Sequence, residues 1–161
     1  MMKNAVGSAL LIFLLAPITA IAQSKPPCLG SRDIASPDGK VIAHVTRGGR
    51  GTCGESKIEM FEADGHLLLD ADYGSNDGEH GSGIVLAGWS DDSRYFVFSL
   101  SDQEDRAPFH YRVDVYRREG NHLRPLNTPK LTQPSFSFSA GDMLEVTEEG
   151  GNRVSVPLKA Q

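Results

Sequence analysis

Past residue 23 the chain carries almost no helical signal: no stretch keeps a 3.6-residue apolar period over three turns, so helical architectures are set aside. No segment beyond the first 22 residues is apolar enough to span a bilayer, which takes roughly 20 residues. Positive charge is also short, with 16 Lys and Arg against 21 Asp and Glu. An acidic chain of mixed sign offers no electrostatic footprint for nucleic acid or an anionic membrane. Cysteine is limited to Cys28 and Cys53. No Gly-x-Ser-x-Gly elbow presents a nucleophilic serine. The histidines His44, His66, His80, His110 and His122 lack the paired spacing of a zinc site.

What is present begins at the N-terminus. Lys3, the apolar run from Ala9 to Ala16, the break at Pro17 and the small residues Ala20 and Ala22 form the three parts of a cleavable secretory signal. Cleavage after Ala22 would leave residues 23–161, one domain's worth of chain. Losing Lys3 with the leader leaves 15 Lys and Arg against 21 acids, a net charge of −6. Cys28 lies behind Lys25-Pro26-Pro27, six residues too late for a lipid anchor. A soluble periplasmic or secreted product is expected, in which Cys28 and Cys53 form one disulfide. The bond would close an N-terminal arm, 23–33, onto the glycine-rich loop Arg47-Gly48-Gly49-Arg50-Gly51-Thr52, stabilising by roughly 3 kcal/mol in the chain-entropy model.

Turn residues recur every eight to twelve positions, which predicts many short antiparallel strands. The clearest is 109–117, where Phe109, Tyr111, Val113 and Val115 alternate with His110, Arg112, Asp114 and Tyr116. Others are expected at 40–46, 56–62, 67–71, 84–89, 94–100, 122–126, 134–138, 143–147 and 153–158. Tyr95 to Phe98 is continuously aromatic or β-branched, as suits a strand covered on both faces. Asp38-Gly39, Asp64-Gly65 and Glu119-Gly120 each place glycine where a tight turn needs positive φ. Two polar stretches, 72–83 and 101–108, have no apolar period and are expected to be exposed, mobile loops.

The chain also repeats itself. At an offset of 55, Lys57, Ile58, Glu59, Met60, Phe61, Asp64 and Gly65 meet Arg112, Val113, Asp114, Val115, Tyr116, Glu119 and Gly120, with physical type kept at each pair. Upstream of each copy stands a second shared element, Ser36-Pro37-Asp38-Gly39-Lys40 and Trp89-Ser90-Asp91-Asp92-Ser93-Arg94. A weaker third start is Phe138-Ser139-Ala140-Gly141-Asp142-Met143-Leu144.

These turns resemble the Ser-Pro-Asp-Gly-Lys turn of TolB-like and WD-type β-propeller blades, over about residues 34–127. The second copy departs from that pattern, with Asp91 for the proline and Ser93 for the glycine, and a turn without positive φ is expected there. The resemblance implies blade-like antiparallel meanders. Propellers have at least four blades of about 40 residues, so this chain is too short to close one alone. The expected fold is therefore all-β: a signal peptide (1–22), an arm (23–33) and one domain (34–161) with units at about 34–88, 89–133 and 134–161. These would pack as a small sandwich or open barrel.

Candidate chemistry is sparse. Asp70, Asp72, Asp77, Glu79 and His80 gather oxygen ligands suited to Ca²⁺, though not at EF-hand spacing, and a solvated acidic loop is the competing reading. No other cofactor is expected. Arg47 and Arg50 in their glycine-rich loop could cradle an anion, against the simpler reading of a disulfide loop. Trp89, on a strand just before a turn, is a candidate ligand platform against the commoner reading of core. Ser82 in His80-Gly81-Ser82-Gly83 lacks the strand-to-helix context of a nucleophile. The reading that results is an exported, non-catalytic binding or accessory module for a protein or envelope component. The runner-up is an inhibitor of a foreign hydrolase such as lysozyme, for which Ser82-Gly83-Ile84-Val85-Leu86 has Leu where Ser-Gly-x-x-Tyr needs Tyr. A third reading is a cation-dependent hydrolase working through the acidic loop.

Overall fold

The computed structural model describes residues 28–49, 53–101, 111–126, 130–140, 142–148 and 151–158. Among them there is no helix; the regular structure is entirely antiparallel β. The first meander is β1 (Arg32–Ala35), β2 (Val41–Gly48), β3 (Glu55–Glu62) and β4 (Leu67–Asp72), each strand paired with the next. The second is β5 (Gly83–Trp89), β6 (Tyr95–Ser101), β7 (Tyr111–Glu119) and β8 (His122–Leu126). The third has three strands, β9 (Lys130–Ser139), β10 (Met143–Glu148) and β11 (Arg153–Pro157). β5 therefore belongs with β6, and the second meander begins at Gly83 rather than near Trp89.

The second and third meanders share one hydrogen-bonded path because β9 lies between β7 and β10. Its start pairs with β7 at Tyr111↔Leu131 and Arg112↔Lys130 and with β10 at Leu131↔Glu148, and its end pairs with β10 from Phe136 to Ser139. Pro134 lies between the two paired stretches, where the β9–β10 register shifts, and proline cannot donate to a ladder.

The β-strand period of two explains how the layers stack. Along β6, Phe96, Phe98 and Leu100 point to one core, shared with Val41, Ala43, Val45, Ile58 and Met60 of the first meander. Tyr95 and Val97 point to the other, shared with Val113, Val115, Leu144 and Val146. Every residue of β6 is buried, as the continuous run Tyr95–Phe98 predicts for its first half, and Ser99 and Ser101 are buried with it. The register shift between Ile84 and Leu86 has a packing consequence. The extra residue, Val85, lets both Ile84 and Trp89 face the first core although they are five positions apart. Each fully buried large apolar side chain contributes about 1.5–3 kcal/mol.

The outward faces of the first and third meanders are more polar. His44, Glu59 and Asp70 stand in one row of the first, and Ser137, Glu145 and Ser155 in one row of the third. The fold is thus a small all-β sandwich with its middle layer covered on both sides.

The two shared turns match bond for bond. Ser36 Oγ donates to Asp38 and accepts from the Val41 amide, while Ser90 Oγ donates to Asp92 and accepts from the Tyr95 amide. Gly39 has φ +69°, and Ser93, its counterpart, has φ +61°. The expectation of a second turn without positive φ is corrected: serine takes the left-handed conformation there, and its Oγ accepts the Asp38 amide at 2.9 Å. Gly65 and Gly120 have the positive φ that their sequence positions predict.

Candidate functional site

The glycine-rich loop and the acidic loop, separate candidates in the sequence, meet at one end of the strands around a residue the sequence did not single out. Glu55 opens β3 opposite Gly48, and it is 7 % exposed despite its charge. A buried carboxylate needs donors. Gly81 N–H supplies one at 2.8 Å, and the Ser75 hydroxyl another. Together with the Ser75 amide they hold the Glu55 carboxyl below its usual range, the Ser75 hydroxyl being the largest cause.

Close backbone approach explains the glycines. A Cβ on Gly81 would stand 2.3 Å from the Tyr73 carbonyl oxygen, and one on Gly83 2.6 Å from the Cys53 Cβ. A Cβ on Gly49 would meet the Glu55 Cγ at 2.8 Å and the Gly78 oxygen at 3.0 Å. The Cys28–Cys53 disulfide, with Cα atoms 5.2 Å apart, closes the base of this assembly, and the Leu29 amide donates to the Ile84 carbonyl.

The loop 73–82 is exposed over much of its length, as expected, but its backbone is tied down rather than free. The Tyr73 amide donates to Ser56, the Ser82 amide to Tyr73, and the Ser56 amide to Ser82. At its tip the Ser75 hydroxyl stands against both Glu55 and Asp77, and its oxygen accepts the His80 amide at 3.0 Å. Asp77 accepts the Glu79 amide at 3.0 Å and pairs with the His80 ring. The Ser75 hydroxyl above all holds the Asp77 carboxyl well below its ordinary value, and the Asp77 hydrogen bond raises the His80 pKa. Asp77, Glu79 and His80 remain exposed. At the loop's entry, Tyr73 packs edge-on against Phe98, donates to Asp114 at 3.2 Å and lies under the Arg112 guanidinium. Burial pushes the Tyr73 phenol strongly upward.

The other candidates disperse. Among the described residues no three His, Cys, Asp or Glu side chains group as metal ligands. Asp70 pairs with Lys57 at 3.1 Å on the outer face of the first meander, and Asp72 accepts the Gly74 amide at 2.8 Å. Trp89 is part of the core: it is 8 % exposed, packs on Phe96 at 4.9 Å and donates its indole N–H to the Ile34 carbonyl at 3.2 Å. Arg47 is exposed beside Gly54, while Arg50, His110 and the stretch 102–108 lie outside the described residues. No sequence period could have pointed to Glu55, since its partners follow it by 20 and 26 positions. The one available signal was an acid opening an otherwise half-buried strand within a glycine-dense neighbourhood.

No protein-family model matches the chain, and no curated protein or solved structure matches it.

Proposed function

We propose that the chain is an exported, non-catalytic binding or accessory module that meets a protein or envelope component through the ordered polar loop 73–82. One observation carries the reading. The loop exposes Asp77, Glu79 and His80, yet its backbone is anchored to the buried Glu55 and to β3. A loop already held in one conformation loses less entropy on binding than a free one. Export is supported by the secretory pattern at the N-terminus and by the Cys28–Cys53 bond. The repeated turn supports the blade-like reading of the meanders, and the polar outer faces favour a unit that acts without completing a ring.

The test is capture from a cell-envelope extract at several salt concentrations, followed by titration of the purified partner against wild type and a D77A/H80A double variant. Binding weakened about tenfold or more by the variant is expected. Failure of any partner to recur, or equal binding by the variant, sinks the reading. The same ordered loop also suits insertion into the cleft of a foreign hydrolase. Lysozyme activity unchanged by the purified protein removes that runner-up.

A further inference from the structure

A cleft of about 640 Å³ opens between the second and third meanders, at the other end of the strands from the Glu55 loop. Its size falls in the range of small-ligand sites, roughly 300–1,000 Å³. Tyr95, Phe138 and Leu158 give it apolar walls, and Asp91, Asp92, Asp142 and Arg94 line its polar side.

Two features of this lining call for a ligand. The first is Tyr95, which is only 2 % exposed. Its amide donates to Ser90 Oγ and its carbonyl accepts from the Ser90 amide, but its hydroxyl has no hydrogen-bond partner among the described residues. That oxygen is not sealed in the protein as the Ser99 hydroxyl is. Tyr95 lines the cleft. A phenol so enclosed gains from any partner that arrives there. The second is charge. Three carboxylates face one guanidinium, and Arg94 already bridges Asp92 and Asp142. Asp91 is exposed and makes no ion pair or hydrogen bond among the described residues.

We propose that this cleft binds an amphipathic cation, an ammonium or guanidinium on an aliphatic stem. The stem would lie along Phe138 and Leu158, with the charged head donating to Asp91 and to the Tyr95 oxygen. An ammonium carries three donors and no acceptor, which suits a carboxylate beside a phenol oxygen. The surplus of carboxylates disfavours an anion. This assignment is independent of the role given to the loop 73–82.

The experiment is calorimetric titration of the mature protein with a tetralysine peptide, with cadaverine and with a neutral N-acetylglucosamine oligomer. Wild type is compared with D91N, whose side chain is exposed, and Y95F, which removes only the hydroxyl. Saturable binding of a cationic probe, weakened about tenfold in D91N and several-fold in Y95F, is expected. Tightest binding by the peptide identifies a basic side chain of another protein as the source, whereas equal binding by cadaverine identifies a free amine. Melting temperatures of the unliganded variants should match wild type, which separates lost binding from lost folding. The proposal is overturned if neither cationic probe saturates by about 1 mM, if both variants bind as wild type, or if the neutral saccharide binds more tightly than the cations.

Discussion

The amide of Asp38 donates to Ser93 Oγ at 2.9 Å, so the first two turns of the repeat hold each other directly across the core they flank. The contact extends sideways. Arg118 pairs with Asp38 at 2.9 Å, the Arg118 amide donates to the Arg94 carbonyl, and Arg94 reaches Asp142 of the third turn. Charged groups at one end of the strands thus link all three meanders.

Ser93 has positive φ without being glycine. S93A keeps that strain and removes the Asp38 contact, and it should lower unfolding free energy by about 1 kcal/mol. S93G removes the contact but relieves a left-handed strain of about 1 kcal/mol, so it should lie close to wild type. Urea unfolding of both variants checks the pair, and S93G less stable than S93A would contradict the account.

Glycine 81 has no room for a side chain. G81A should destabilise by about 1–3 kcal/mol, as overpacking does. E55L should act more locally. It removes the carboxylate oxygen that accepts from the Gly81 amide and faces the Ser75 hydroxyl, so hydrogen exchange at the Gly81 amide should speed up while the amides of β6 keep their protection.

Loop order should depend on pH at both ends of the scale. Asp77 and Glu55 have lowered pKa values, so their contributions are present above the unfolded values of 3.8 and 4.5 and are lost as pH falls below them. Asp38, lowered to about 2 chiefly by the Ser36 hydroxyl, behaves in the same way at the turn end. His80 has a raised pKa, so its contribution is complete below the unfolded value of 6.5 and is lost as pH rises through the higher folded one. Exchange at the His80 and Gly81 amides should therefore be slowest near pH 5–6, after correction for intrinsic rates, and proton NMR should titrate His80 above 6.5. A flat profile would contradict the Asp77–His80 coupling.

Ser99 is fully buried on β6 and its hydroxyl has no hydrogen-bond partner among the described residues. S99A removes the unpaired group and leaves the Cβ in place, so it should raise stability by about 1 kcal/mol, read as a higher melting temperature. A clear loss of stability would show that the hydroxyl has a partner.

Much of the fold follows from local physics that one sequence contains. Alternation over 109–117 marked the strand found at Tyr111–Glu119, the run Tyr95–Phe98 marked the doubly covered β6, and Asp-Gly pairs marked turns whose glycines have φ of +69° and +90°. Two cysteines, read with the secretory pattern at the N-terminus, marked the disulfide. What only the tertiary structure decided depends on groups far apart in the chain. Glu55 is indistinguishable from a surface acid until Ser75 and Gly81 close over it, and the acidic loop looks free until its amides find β3. Ser93 reads as a turn without positive φ until Asp38, 55 positions away, supplies its Oγ with a donor. Periodicity and turn chemistry act over a few residues and are written in order along the chain. The satisfaction of a buried charge or a strained serine is a property of the packed molecule.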